Sequence, residues 1–171
     1  PRVGRHLTDL GREQARLVGE RLKALPVKIA AVRTSMLIRA METGDIIGAT
    51  LGVAVTRDSL FNECTPRASR PDIRYDTPGE ADSSQAQMEA AWARYAQPSP
   101  AGDLHEVVTA HGNVIRWFVT KAIGADTKQW ANMDIAHCAL TIVTIKPDGT
   151  VRLVTFDDVG HLPLEKQTWA G

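Results

Sequence analysis

Apolar and polar positions along the chain recur with two periods, and the changes between them mark out the elements. Over 8–25, Leu10, Gln14, Leu17, Val18, Leu22 and Leu25 fall at spacings of three and four, with Arg12, Glu13, Arg16, Glu20 and Lys23 elsewhere. This predicts an amphipathic helix with Thr8 as its N-cap, preceded by a basic stub over 1–7 and stopped by Pro26. A β-prone run over 27–32 predicts a buried strand, Thr34 and Ser35 a turn, and 36–51 a second helix closed by Gly52. A short strand over 53–56 follows. Residues 64–79 carry Pro66, Pro71 and Pro78 among Arg67, Arg70 and Arg74 and read as a long loop. A helix over 84–96 places Ala91, Trp92 and Tyr95 on its buried face, and Pro98 and Pro100 break the chain behind it.

The pattern changes most abruptly at Val107-Val108-Thr109-Ala110-His111-Gly112. A β-branched run ends on a histidine and a glycine, and a helical pattern begins at once with Val114, Ile115, Phe118, Val119, Ala122 and Ile123. A short helical piece around Gln129 and Trp130 comes next. Strands over 138–146 and 151–156 flank the turn signal Pro147-Asp148-Gly149, and the tail over 157–171 has no periodicity. Strand, turn and helix thus occur at least twice, which predicts an α/β domain over 1–171 whose mostly parallel, mixed sheet ends in an antiparallel hairpin.

Composition narrows the function classes. With 171 residues, 43% of them hydrophobic, the chain can bury one substantial core. Twenty basic residues balance twenty acidic ones. No global field favours nucleic acid or a membrane surface, so any anion site must be local. No apolar run reaches membrane-spanning length. Cys64 and Cys138 show no metal-ligand spacing and fit a reducing compartment, although a pairing between them stays open. The expectation is a cytoplasmic protein, or a mitochondrial one if an N-terminal signal or anchor has been removed. The first residue is Pro1 rather than methionine, which leads us to expect further residues upstream.

Two side chains stand out chemically. His111 sits in a turn at the carboxyl end of a strand, where α/β sheets place ligands and helix N–H groups collect. A lone histidine there can also cap the strand, but the adjacent Gly112 lets a ligand approach the backbone. Arg39 lies early in its helix, at the positive end of the macrodipole, where a cation costs about 0.3–1 kcal/mol. Either a carboxylate such as Glu42 or Glu63 compensates it or an external anion does. The arginines of the 64–79 loop are candidates for contacting an acidic substrate. No carboxylate and histidine cluster has metal-site spacing, so neither a metal nor another cofactor is expected.

Three blocks carry a resemblance. Leu7-Thr8-Asp9-Leu10-Gly11-Arg12-Glu13-Gln14-Ala15, Ser35-Met36-Leu37-Ile38-Arg39-Ala40-Met41-Glu42-Thr43 and His111-Gly112-Asn113-Val114-Ile115-Arg116 resemble, in this order, the histidine phosphatase (phosphoglycerate mutase-like) superfamily. Together with Gly44-Asp45-Ile46-Ile47, the Pro147-Asp148-Gly149 turn and Gly160-His161-Leu162-Pro163, they look most like its mitochondrial protein serine/threonine phosphatase branch. The resemblance spans essentially the whole chain. It implies a three-layer α/β/α sandwich and hydrolysis of phosphomonoesters through phosphohistidine, on phosphorylated proteins or small metabolites. By position, His111 matches the second active-site histidine and Arg39 a phosphate-binding arginine, with Gly112 beside the phosphate. Glu63 matches the acid that protonates the leaving oxygen, although Cys64 follows it where that branch tends to have glycine. Thr8 and Ser35 match structural caps, and His137 falls in a loop bordering the pocket.

One departure matters. The family's nucleophile lies in an Arg-His-Gly motif at the end of a first, central strand, whereas Arg5-His6 runs directly into Leu7-Thr8 with neither that glycine nor an apolar strand before it. The motif is not present, and the central strand is expected to be missing. Its unpaired edge could promote a homo-oligomer. The alternative is a non-catalytic binder of phosphate or phosphoproteins. Mutase activity fits less well, because family mutases carry an insertion and a Tyr-Gly stretch where Glu63 is followed by Cys64-Thr65-Pro66-Arg67.

Overall fold

A computed structural model describes residues 5–169. The first four residues of the basic stub and the last two of the tail lie outside it. Helix α1 (Asp9–Lys23) begins where expected, with the Thr8 hydroxyl accepting from the Gly11 N–H. Its buried face centres on Gln14, Ala15, Val18, Gly19 and Leu22, so Leu10 is left exposed. Strand β1 (Ile29–Thr34) starts two residues later than the apolar run suggests, because Val27 and Lys28 are exposed before the ladder begins. Helix α2 (Ile38–Leu51) ends on Gly52 in the left-handed region at φ 68°, where glycine carries no Cβ penalty. Strand β2 (Val55–Arg57) follows.

Helix α3 (Glu80–Tyr95) starts four residues before the expected 84, with Glu80 and Asp82 in its first turn behind Gly79 at φ 82°. Then come β3 (His105–Thr109), α4 (Gly112–Ala122), a 3-10 segment Thr127–Asn132, β4 (Leu140–Ile145) and β5 (Val151–Asp158). The tail folds back on α1, where the Gln14 Nε2 donates to the Lys166 carbonyl at 2.6 Å and to the Thr168 hydroxyl at 3.0 Å.

Strands β2, β1 and β3 pair in parallel in that order, while β4 and β5 form a separate antiparallel pair. The expected single mixed sheet is therefore divided. Among the described residues no ladder joins β3 to β4, and each presents an edge. Val107 of β3 and Leu140 of β4 nevertheless pack against one apolar cluster, Val18, Leu22, Val32 and Ile47.

The order β2-β1-β3 has a topological consequence. The chain steps from β1 to β2 in one direction and returns across β1 to reach β3. Right-handed crossovers then place α2 and α3 on opposite faces of the sheet. The crevice at the carboxyl ends of β1 and β3 is the point where strand order reverses, which is where open α/β sheets bind ligands.

Packing beneath that crevice is tight. A Cβ on Gly44 would lie 3.0 Å from both Thr109 Oγ1 and Thr34 Cβ, so α2 rests directly on the sheet. On the other side, Trp117 and Met88 are fully buried in a cluster with Phe61, Cys64, Ala91, Val114, Trp130 and Ala131. The pattern of α4 had put Ile123 on the buried face. It is 57% exposed, and Trp117 fills the core instead.

Candidate active site

Two turns meet at the reversal point. Thr34 pairs with Thr109 at the ends of β1 and β3, and one residue further the Ser35 N–H still donates to the Thr109 carbonyl at 3.2 Å. This brings Ser35 beside His111, with Ser35 Oγ 2.7 Å from His111 Nε2. Both residues are buried. Each turn then launches a helix without a side-chain cap, α2 behind Leu37 and α4 behind His111. In the first turns the Ala40 N–H bonds to the Leu37 carbonyl and the Asn113 N–H acts on Glu63, while the positive dipole ends of both helices face the crevice.

Arg39 is the second residue of α2, whose first turn contains no acidic residue. Of the two carboxylates that could compensate it, Glu42 is committed elsewhere, and Glu63 acts on it through charge without an ion pair. Glu42 is engaged by the Leu7 N–H at 2.8 Å, Arg12 at 3.2 Å and His6 Nδ1 at 2.6 Å. Arg39 itself makes no ion pair with a described residue. Its charge acts on Glu63 and His111 instead. Burial first, and then the Arg39 charge, push the His111 imidazole down to about 3, so the ring is neutral. Burial raises the Glu63 carboxyl to about 7, against the opposing pull of Arg39, the Cys64 N–H, Arg116 and the Asn113 N–H. A carboxyl poised there can give or take a proton near neutrality.

The segment that carries Glu63 is held by Asn113 and Arg116, members of the His111 block without an assigned role of their own. The Asn113 side-chain amide donates to the Cys64 carbonyl at 2.9 Å and accepts from Arg116 Nη2 at 2.7 Å. Arg116 also donates to the carbonyls of Gly112 at 3.2 Å and Met133 at 2.6 Å, with its guanidinium over the Trp130 ring. Glu63, Gly112, Asn113, Arg116, Arg70 and Asp134 border a cavity of about 320 Å³. The i, i+3 spacing of Asn113 and Arg116 behind His-Gly was the available signal, since it puts both on one side of the helix.

The remaining candidates lie apart. His137 is exposed, and its Nδ1 is 2.9 Å from the Thr168 hydroxyl, two residues beyond the cavity-lining Ile135. In the loop, Arg67 pairs with Asp82 and Arg70 with Asp72, while Arg74 donates to the Pro71 carbonyl. Two of its three cations are thus already matched. Cys64 and Cys138 are free thiols, raised by burial to about 12 and about 11, and hence poor nucleophiles. Among the described residues no helix is long and apolar enough to cross a membrane, and no group of three or more His, Cys, Asp or Glu could hold a metal ion.

Comparison with known proteins shows the family and the fold. The family model "Histidine phosphatase superfamily (branch 1)" matches residues 2–69 and 65–158. A Caenorhabditis elegans relative, the mitochondrial serine/threonine-protein phosphatase Pgam5, is 36% identical over 167 residues. That match covers 94% of this chain, which spans 59% of the relative's length. Among solved structures, phosphoglycerate mutase from Plasmodium falciparum superposes with a TM-score of 0.69 at 26% identity, covering 93% of this chain and 90% of the other. Phosphoserine phosphatase from Entamoeba histolytica, in complex with 3-phosphoglyceric acid, has a TM-score of 0.72 at 16% identity, covering 92% and 87%, and shares the fold. The match of the family model across most of the chain, on a fold whose reversal point holds Arg39 and His111, establishes that this protein belongs to branch 1 of the histidine phosphatase superfamily.

Proposed function

We propose that this chain forms the phosphate-binding part of a phosphomonoester hydrolase that works through phosphohistidine, with phosphorylated serine or threonine side chains of proteins as substrates. The observation that carries this reading is Arg39: a cation without an ion pair among the described residues, at a helix N-terminus without a side-chain cap, beside a neutral histidine. Arg39 would bind the phosphoryl oxygens by charge-assisted hydrogen bonds, joined by His111 and the N–H of Gly112. Glu63, protonated near neutrality, would deliver its proton to the departing oxygen as the phosphoryl group passes to a histidine, and would later activate the water that releases it.

The accepting histidine belongs, in this proposal, to a strand lying between β3 and β4. Support comes from the two unjoined edges and from Val107 and Leu140, which share one apolar cluster beneath them. The serine and threonine preference and a mitochondrial setting rest on the names of the relatives.

Titration of the chain with inorganic phosphate tests the pocket, and hydrolysis of an aryl phosphate tests the chemistry. We expect phosphate binding that Arg39→Ala weakens at least tenfold. Any turnover should be lost in His111→Ala. Binding unaffected by Arg39→Ala would refute the pocket. Phosphate binding without turnover in a protein that contains the histidine strand would mark a binding protein rather than an enzyme.

A further inference from the structure

We infer that Ser35 is a positioning residue that fixes His111 as the Nδ1–H tautomer, so that the ring meets a bound phosphoryl group as a hydrogen-bond donor rather than as a base. The inference rests on the reading of His111 as a phosphate contact and adds how the ring is held in that role.

The argument is a count of hydrogens. Ser35 Oγ accepts from the Leu37 N–H at 3.1 Å and lies 2.7 Å from His111 Nε2. A serine hydroxyl carries one hydrogen. Ser35 is fully buried, and among the described residues the only acceptor within reach of that hydrogen is His111 Nε2. Had Nε2 carried a hydrogen, Oγ would receive two N–H bonds while its own hydrogen stayed unmatched in the core, at a cost of about 1–3 kcal/mol. Nε2 is therefore the acceptor, and in a neutral ring the hydrogen sits on Nδ1.

Nδ1 has no partner among the described residues and is not sealed from solvent. The charge of Arg39 acts on this ring, and in this inference the guanidinium and Nδ1–H face the ligand as two donors. An anionic oxygen satisfies both. The opposite tautomer would present a lone pair there, which a phosphoryl oxygen repels. Ser35 thus selects the sign of the ring's polar edge from the far side of the imidazole, without touching the ligand.

Long-range ¹H–¹⁵N correlation spectra of the labelled chain at neutral pH read the tautomer directly. We expect Nδ1–H for His111 in the native protein, a shift toward Nε2–H in Ser35→Ala, and retention of Nδ1–H in Ser35→Thr, which keeps the hydroxyl. Inorganic phosphate should bind about tenfold more weakly to the alanine variant and within about twofold of native to the threonine variant. An Nε2–H signal in the native protein, or Nδ1–H persisting in a folded Ser35→Ala, overturns the inference. If neither variant folds, the native spectrum decides alone. Nδ1–H without any phosphate binding would leave the tautomer assignment standing and refute the functional reading. Phosphate binding to a native Nε2–H ring would do the reverse.

Discussion

The side-chain amide of Asn113 donates to the carbonyl of Cys64 at 2.9 Å, so the residue after Glu63 is pinned to the first turn of α4. The turn that carries His111 and the segment that carries Glu63 thereby share one anchor. Asn113→Ala removes this bond and the one from Arg116, leaving a half-buried donor unmatched. We expect a loss of about 1–3 kcal/mol, measured by urea unfolding. A change below about 0.5 kcal/mol, the range of surface substitutions, would show that the anchor is dispensable.

Arg39 should behave in the opposite way. It makes no ion pair with a described residue, acts on Glu63 only through charge, and sits at the wrong end of its helix dipole. Arg39→Met should therefore leave the free protein as stable as before or raise its stability by about 0.3–1 kcal/mol, while removing the rise in melting temperature that phosphate gives. Melting curves with and without phosphate separate the two effects.

Glu63 predicts a pH dependence. Its carboxyl is at about 7 in the fold and about 4.5 in the unfolded chain. Between these values the folded state binds more protons, so stability falls as pH rises from about 4.5 to about 7, by roughly 3 kcal/mol in total. His111, lowered from 6.5 to about 3, works the other way: the unfolded chain binds the proton there, and stability rises with pH across that range. The two slopes oppose each other between about 4.5 and 6.5. Glu63→Gln should remove the falling component, so its stability should exceed that of the native protein increasingly toward pH 7. Unfolding free energies at several pH values check the sign.

Gly44 tests the seating of α2. A methyl group there meets Thr109 Oγ1 and Thr34 Cβ at 3.0 Å, both on well-packed strands. Gly44→Ala should cost about 1–3 kcal/mol through overpacking and weaken phosphate binding by displacing Arg39, as calorimetry on the folded variant would show.

Much of this architecture was readable from periodicity. Thr8 bounds helix α1 through its hydroxyl and Gly52 bounds α2 because it lacks a Cβ, and the turn at Pro147-Asp148-Gly149 joins β4 to β5. Local pattern failed where tertiary neighbours decide. The start of α3 depends on Gly79 in a left-handed conformation, and the separation of β4 and β5 from the parallel sheet depends on strand partners that no short window contains. In the site, His111 and Arg39 announced themselves through odd placement. Ser35 read as a mere cap, and Asn113 and Arg116 entered only as members of the His111 block with no role of their own, because their hydrogen bonds cross from one turn to another.

The two helices that open at the crevice both begin without a cap of their own, behind Leu37 and His111. Most helices complete their first turn with a serine, threonine or aspartate supplied by the chain. At the proposed site part of that service would fall to a visitor. A bound phosphate would finish the fold as well as occupy it, and the same atoms would be counted once as ligand and once as secondary structure. Anything that tightens the ends of α2 and α4 from within, such as a capping residue at position 37, would make a sturdier protein and a poorer host.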